Sequence, residues 1–446
     1  MTDGWEHQKR NSGLQQEVMV LVPIITPIKG WRYSDHISDM AAVIAPPYDV
    51  IDETKQKQLY ARHPYNIVRL ECGLPLPGDD AANNPYTRAA KFFQKWRREG
   101  VLVKETRPAL YFYEQSFTFA GRYLTRRGFF CGLKLETYGK QVLPHEETTP
   151  AAKADRLQLL RACRANFSPV WGLYTEPERA VIDLLASASK EEPLYAFTCA
   201  EKHTHRLWAV TDELTIARVT DRLAGRRVFI ADGHHRFETS LQYAAERRMA
   251  EKPIGQAPYD YILSFLVNAY DPGLVILSTH RLVKAPAGFT LSAFLAAIKD
   301  YFVVAAEQKE RLASLDGRYS FGLYAGNNRC YRLTLKKGLD PAGLLKDAGS
   351  SERKRLAVGV LHGLILEKYL KIGANECSAA KRISFTHDPA EAYDLVDSGA
   401  WDLAFFLRPP DVKELISIAE AGERMPQKST YFYPKIPTGL VFYSFD

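Results

Sequence analysis

One junction constrains this chain more than any other. Arg226-Arg-Val-Phe-Ile-Ala231 is a run of β-formers, Asp232-Gly-His-His-Arg236 is wholly polar or glycine, and Phe237 to Arg248 has helical amphipathic spacing. A strand that turns through glycine into a helix aims backbone N–H groups, and the positive helix end, at whatever lies beyond the turn. Gly233 lacks the Cβ that would crowd an incoming phosphate. His234, His235 and Arg236 add donors, and an arginine grips phosphate through two parallel hydrogen bonds. Asp232 is placed to hold a metal, orient a histidine or take a proton from a substrate hydroxyl. The plainer alternative is an N-cap in a polar surface turn, yet function concentrates on loops of this kind.

The rest of the pattern agrees with a mixed α/β (α+β) fold. Val18 to Gly30 alternates β-formers with proline. Ala42 to Val50 reads as a short buried strand running into a stiff Pro-Pro loop that holds Tyr48 and Asp49. A helix is expected from Asp52, a strand over Asn66–Glu71, a loop over 73–84 and an amphipathic helix over Tyr86–Glu99. Leu110–Phe117 and Tyr123–Leu135 flank Ala120-Gly121, a hairpin signal. A helix follows over Lys153–Arg164. Strands are expected at Val170–Tyr174, Leu194–Thr198, Arg206–Val210, Tyr261–Ala269 and Leu274–Ser278. Beyond lie a helix over 291–300, strands over 319–324 and 331–335, a helix over 353–370 and a strand over Trp401–Leu407. At roughly 150 residues per domain, 446 residues suggest two or three domains, or one large one with insertions, and the regions are placed at 1–150, 151–289 and 290–446.

Composition narrows the partners. With 46% hydrophobic and 25% charged residues, the chain can bury a sizeable core. The net charge of +7 comes without a dense basic tract, which suits an anionic small molecule better than nucleic acid. No apolar run is long enough to span a membrane, and the polar stretch Met1–Gln16 is unlike a secretory signal. Six scattered cysteines without a C-x-x-C pair fit reduced thiols, hence a cytoplasmic protein. No zinc spacing occurs among the eleven histidines, so no dedicated metal site is expected. Neither a nucleophile-elbow serine nor a dinucleotide glycine loop is present.

Two further loops carry chemistry. Leu143-Pro-His-Glu-Glu-Thr148 puts His145 and Glu146 on a constrained loop, suited to proton transfer or to a metal carried by a nucleotide; a solvated pre-helix loop is the alternative. Lys428, Ser429 and Thr430 offer a point charge and two hydroxyls to phosphates, while Tyr431–Tyr433 could instead anchor a C-terminal tail. Lesser candidates are Tyr48, Asp49 and Arg69 for substrate, and His280 with Arg281 for a second phosphate contact. Asp155 and Arg156 face the same site or pair with surface charges. Arg126–Arg127, His203 and His205 read as solvated.

Asp-Gly-His-His-Arg resembles the phosphate-binding signature of the ParB/sulfiredoxin-like fold, and in this element it is similar to the free L-serine kinases of archaea. Nearly the whole chain also resembles a prokaryotic family classed as a conserved domain of unknown function. The matching pieces are Ala45–Val50, Asn66–Leu70, Leu143–Glu146, Asn166–Pro169, the Asp232–Arg236 turn and Met425–Lys435. The resemblance implies a ParB/sulfiredoxin-like core with added α/β regions, and ATP or ADP with Mg²⁺ as cofactor. It further implies a phosphotransferase acting on a small hydroxylated metabolite, free L-serine first, with oligomeric state open. A ParB-like nucleotide-binding regulator and a phosphoester hydrolase are the alternatives.

Overall fold

The computed structural model describes residues 24–345, 349–373, 382–426 and 428–446. The polar stretch Met1–Gln16, the start of the stretch of β-formers and prolines (residues 18–23), and Cys377 lie outside the described residues.

A nine-stranded mixed sheet forms the larger layer. Its order runs Val142–Leu143, Val228–Asp232, Val170–Tyr174, Tyr261–Asn268, Arg122–Lys134, Leu110–Phe119, Thr204–Val210, Tyr195–Thr198, with Ile25–Thr26 added on Arg122–Lys134. The long central hairpin forms where the sequence placed it, because Ala120 and Gly121 both take positive φ, 47° and 75°. Such a turn matches the twist of the strands it joins. Strand residues then feed two cores by their period of two. Leu110 and Phe112 enter one, shared with the helices Ala180–Ala188 and Glu213–Leu223. Tyr111 and Tyr113 enter the other, shared with Pro85–Arg98 and Pro150–Cys163. A sheet buried on both faces explains its near-continuous apolar runs.

A six-stranded sheet of Phe302–Ala306, Cys330–Leu335, Ser320–Tyr324, Leu403–Phe406, His280–Val283 and Ile383–Thr386 makes the second layer. The end of the chain then returns to the first part of the molecule. Tyr431–Tyr433 pairs with Val275–Leu277, Tyr443–Ser444 pairs with Ala165–Asn166, and Thr438 bridges Ala45. The five described cysteines are free. Among the described residues no helix is long and apolar enough to cross a membrane.

Several elements differ from the sequence expectation. Ala42–Val50 is not a strand but a one-turn helix at Met40–Val43, a single bridge at Ala45 and a 3-10 turn at Tyr48–Val50. Asn66–Glu71 is helical too. The Asn66 side chain accepts from the Val68 amide at 3.0 Å and donates to the Ala42 carbonyl at 2.7 Å, so the backbone is folded locally before a strand can start. The helix expected over 353–370 breaks into Ser351–Lys354, Ala357–Val360, a wide-turned stretch Leu361–Glu367 and Lys368–Leu370. His280 and Arg281 open a further strand, His280–Val283, that the sequence reading did not include.

Candidate functional site

The Val228–Asp232 strand stops at the pairing irregularity between Ile230 and Asp232, and the chain turns at Gly233 with φ of 94°. The helix begins at once, at His234, and runs to Glu251. Its first intrahelical donor is the Phe237 amide, bonded to the Gly233 carbonyl at 3.0 Å. Among the described residues no side chain caps this helix, and its first turn holds no acidic residue. The opening amides and the positive helix end therefore stay available to an anion. Gly233 is required twice over: by its left-handed backbone, and because a Cβ there would lie 3.0 Å from the Arg236 guanidinium.

This turn opens into a cleft of about 360 Å³ between the two sheets. Tyr48, Asp49, Glu146 and residues 232–236 line one side, Thr386 and His387 the other, and Lys428, Thr430, Tyr431 and Lys435 close it. Asp232 is held by two cations, with one oxygen 2.6 Å from Arg236 Nη2 and the other 2.5 Å from Lys435 Nζ. Burial alone would push its carboxyl up, but Lys435 and Arg236 outweigh it and hold the group well below the usual carboxylate range. Arg236 also donates to the Pro169 carbonyl at 2.5 Å. Lys435, against the pull of burial, is kept charged by Asp232 and Asp49.

Glu146 behaves oppositely. It is half-buried, and burial raises its carboxyl above the ordinary value although one oxygen accepts from the Lys428 amide at 3.0 Å. The histidines are neutral. Buried His145 faces the Ile230 carbonyl through Nδ1 at 2.6 Å and the Thr430 hydroxyl through Nε2 at 3.0 Å, and burial drives its pKa down to about 4. Donation from Nδ1 leaves Nε2 as the acceptor of the Thr430 hydroxyl. His234 accepts from the His145 amide at 3.2 Å, and burial and the nearby His145 keep it far below its ordinary value. His235 accepts from the Thr149 amide at 2.8 Å and is lowered by burial and by Lys428. The cleft's positive charge thus comes from Arg236, Lys428 and Lys435, with the histidines as shape and hydrogen bonding.

The structure brings together Tyr48, Asp49, Glu146, Asp232, Gly233, His234, His235, Arg236, Lys428 and Thr430 around this cleft, with His145 directly behind it. Tyr48 is steadied from beneath by Arg156, whose guanidinium lies 4.0 Å from its ring centroid. Arg156 is no surface charge: it is buried and pairs with Glu71 at 3.1 Å and with Asp155 at 2.6 Å. Four candidates point elsewhere. Arg69 stacks on Tyr60 at 4.4 Å, Ser429 donates to the Pro426 carbonyl, and His280 packs on Phe406 at 4.8 Å. Arg281 is buried beside the cleft, donating to the carbonyls of Thr279 and Lys428.

Two further sequence readings are overturned. Arg126 is fully buried over Trp171 at 4.2 Å and donates to the carbonyls of Tyr433 and Pro434, the two residues before Lys435. His205 is buried as well. Sequence reasoning missed Lys435, Thr386 and His387 as lining residues. For Lys435 the signal was a lone cation after an aromatic run; for His387 there was none. Among the described residues, no group of three or more His, Cys, Asp or Glu could hold a metal ion.

The family model described as "Protein of unknown function (DUF1015)" matches residues 25–360, and the chain belongs to that family. No curated protein matches it. Among solved structures, a conserved hypothetical protein from Pyrococcus furiosus is 15% identical with a TM-score of 0.34, covering 70% of this chain and 94% of that one. A free serine kinase in complex with AMP is 13% identical with a TM-score of 0.35, covering 70% and 91%. SbnI with a C-terminal truncation, from Staphylococcus aureus, is 9% identical with a TM-score of 0.36, covering 70% and 86%. Likeness at this level transfers neither ligand nor activity.

Proposed function

We propose that this member of the family is a nucleotide-dependent phosphotransferase, moving a phosphoryl group from ATP or ADP to the hydroxyl of a small metabolite. Free L-serine is the first acceptor to test. The observation that carries this reading is the uncapped start of the His234–Glu251 helix, opening into a cleft that also holds Lys428 and Lys435. Phosphoryl transfer asks little covalent chemistry of a protein; positioning and charge neutralisation do most of it. Here the amides of residues 233–236, Lys428 and Lys435 would bind the phosphates, while Arg236 is fixed in place by Asp232. We read the strand–Gly233–helix unit as a ParB/sulfiredoxin-like element.

Glu146, rather than Asp232, is the proton acceptor in this reading. Both Asp232 oxygens are engaged by cations, which makes it a weak base, whereas burial strengthens Glu146 as one. The acceptor oxygen forms a bond to the terminal phosphorus, and the bond from that phosphorus to the donor's bridging oxygen breaks. The hydroxyl proton passes to Glu146, and the nucleotide leaves one phosphate shorter. Magnesium would arrive with the phosphates and neutralise their charge; Asp49, Glu146 and Glu147 are the carboxylates lining the cleft outside the Asp232 clamp.

The test is incubation of the full chain with labelled ATP or ADP and a panel of hydroxylated metabolites. Label in the acceptor is the expected outcome, lost at least 100-fold in Arg236→Ala. Label only in free phosphate would make the protein a hydrolase, and binding without either product would make it a nucleotide-binding regulator.

A further inference from the structure

The segment that closes the cleft carries a hydroxyl whose proton is already committed. Thr430 is half-buried on the cleft wall, and its Oγ1 lies 3.0 Å from His145 Nε2. His145 is buried and uncharged, and its one ring proton sits on Nδ1, against the Ile230 carbonyl. Thr430 therefore donates to His145, and toward the cleft it presents lone pairs alone. A phosphate oxygen is also an acceptor, so the two would face each other without a proton between them. This hydroxyl suits an O–H or N–H of a ligand instead. It stands two residues beyond Lys428 and directly before Tyr431.

From there an aromatic row crosses to the second sheet. Lys435 Nζ, which clamps Asp232 at 2.5 Å, lies 4.7 Å from the Tyr431 ring centroid. His387 stacks on that same ring at 4.1 Å, with 14° between the planes. The row thus runs from the Gly233 turn to the opposite wall, and Tyr431, His387 and Lys435 all line the cleft. His387 is exposed, and among the described residues Tyr431 is the one ring it meets, so no ring covers its other face. Its turn is nevertheless held firmly. The Thr386 hydroxyl accepts from the Asp388 amide at 3.0 Å and donates to Glu391, while Asp388 accepts from the Ala390 amide at 2.8 Å.

We infer that the wall of Thr430, Tyr431 and His387 binds the nucleoside part of the phosphoryl donor: a ribose hydroxyl donates to Thr430 Oγ1, and the base stacks on the open face of His387. The inference rests on the phosphotransferase reading for the presence of a nucleotide, and it assigns the end of the cleft that the base occupies. The phosphates lie at the Gly233 turn with Lys428 and Lys435, the sugar passes Thr430, and the terminal phosphorus stays on the side of Glu146. Stacking needs a π-face and reads no base edge, so it favours any nucleotide over a bare polyphosphate.

Calorimetry of the full chain with magnesium and no acceptor compares ADP, 2′,3′-dideoxy-ADP and pyrophosphate. ADP is expected to bind about tenfold tighter than pyrophosphate. His387→Ala should weaken ADP and dideoxy-ADP about tenfold each, with His387→Phe restoring both. Thr430→Val should weaken ADP about fivefold and leave dideoxy-ADP, which has no ribose hydroxyl to offer, unchanged. Pyrophosphate affinity should stay constant in every variant, which shows that each still folds. Pyrophosphate binding as tightly as ADP, ADP indifferent to His387→Ala, or dideoxy-ADP as sensitive to Thr430→Val as ADP would each overturn the assignment. If ADP binds through His387 and Thr430 yet no nucleotide labels an acceptor, the nucleoside wall stands and the transferase reading falls. If label transfers with the nucleotide KM unchanged in His387→Ala and Thr430→Val, the transferase stands and the nucleoside wall falls.

Discussion

Residue identity alone named most of the charges at this site but not their partners. Asp232 and Glu146 are both legible as carboxylates near the Gly233 turn; only their surroundings separate them. Asp232 lies between Arg236 and Lys435 and stays ionised, while burial holds the Glu146 carboxyl above its ordinary value. A base works as the carboxylate, so transfer should fall as pH drops through the raised Glu146 value, above the ordinary glutamate range. Glu146→Gln should lower kcat by about 10²–10⁴-fold and erase that acid limb in a pH–rate profile. Behind the site, Glu71 and Arg156 form a buried pair, and Ser168 donates to the same Glu71 oxygen at 2.6 Å. Removing Glu71 leaves the buried Arg156 charge with Asp155 alone, a carboxylate nearer the surface. Glu71→Ala should therefore cost about 3–5 kcal/mol in urea unfolding, and Tyr48 should lose its support.

At the scale of elements, what could be read were signals that act locally. Ala120-Gly121 needs nothing beyond its own backbone angles to make a hairpin, and Asp52 caps its helix by accepting from the Lys55 amide at 2.7 Å. Ala120 nevertheless takes a left-handed conformation at φ of 47°, where its Cβ is a liability. Ala120→Asn should stabilise the chain by about 0.5–1 kcal/mol in denaturant unfolding, without altering activity. The Asn66–Glu71 segment misled because its β-formers compete with Asn66, whose side chain ties the loop to Ala42 and Ile44. Propensity counts residues; it does not see a carbonyl more than twenty positions away. Short strands such as His280–Val283 and Ile383–Thr386 escaped for a related reason, being apolar on terms set by the sheet around them.

Across the whole molecule, the cleft exists only because the chain's end returns to its beginning. Lys435 meets Asp232 across 203 positions, and Arg126 fixes the carbonyls just before Lys435 from 307 and 308 positions away. A nucleotide bound there stabilises only the folded state. At about 100 times its Kd it should add about 2.7 kcal/mol, seen as a rise in Tm that Lys435→Met largely removes. The sequence by itself determined the strand–glycine–helix junction, the hairpin and the mixed α/β character, because backbone angles and apolar periodicity are local properties. Only the tertiary structure decided which carboxylate is clamped and which is held high, that the histidines are neutral, and that Lys435 and His387 face the cleft. Charge and burial depend on what packs alongside, and those neighbours come from distant parts of the chain.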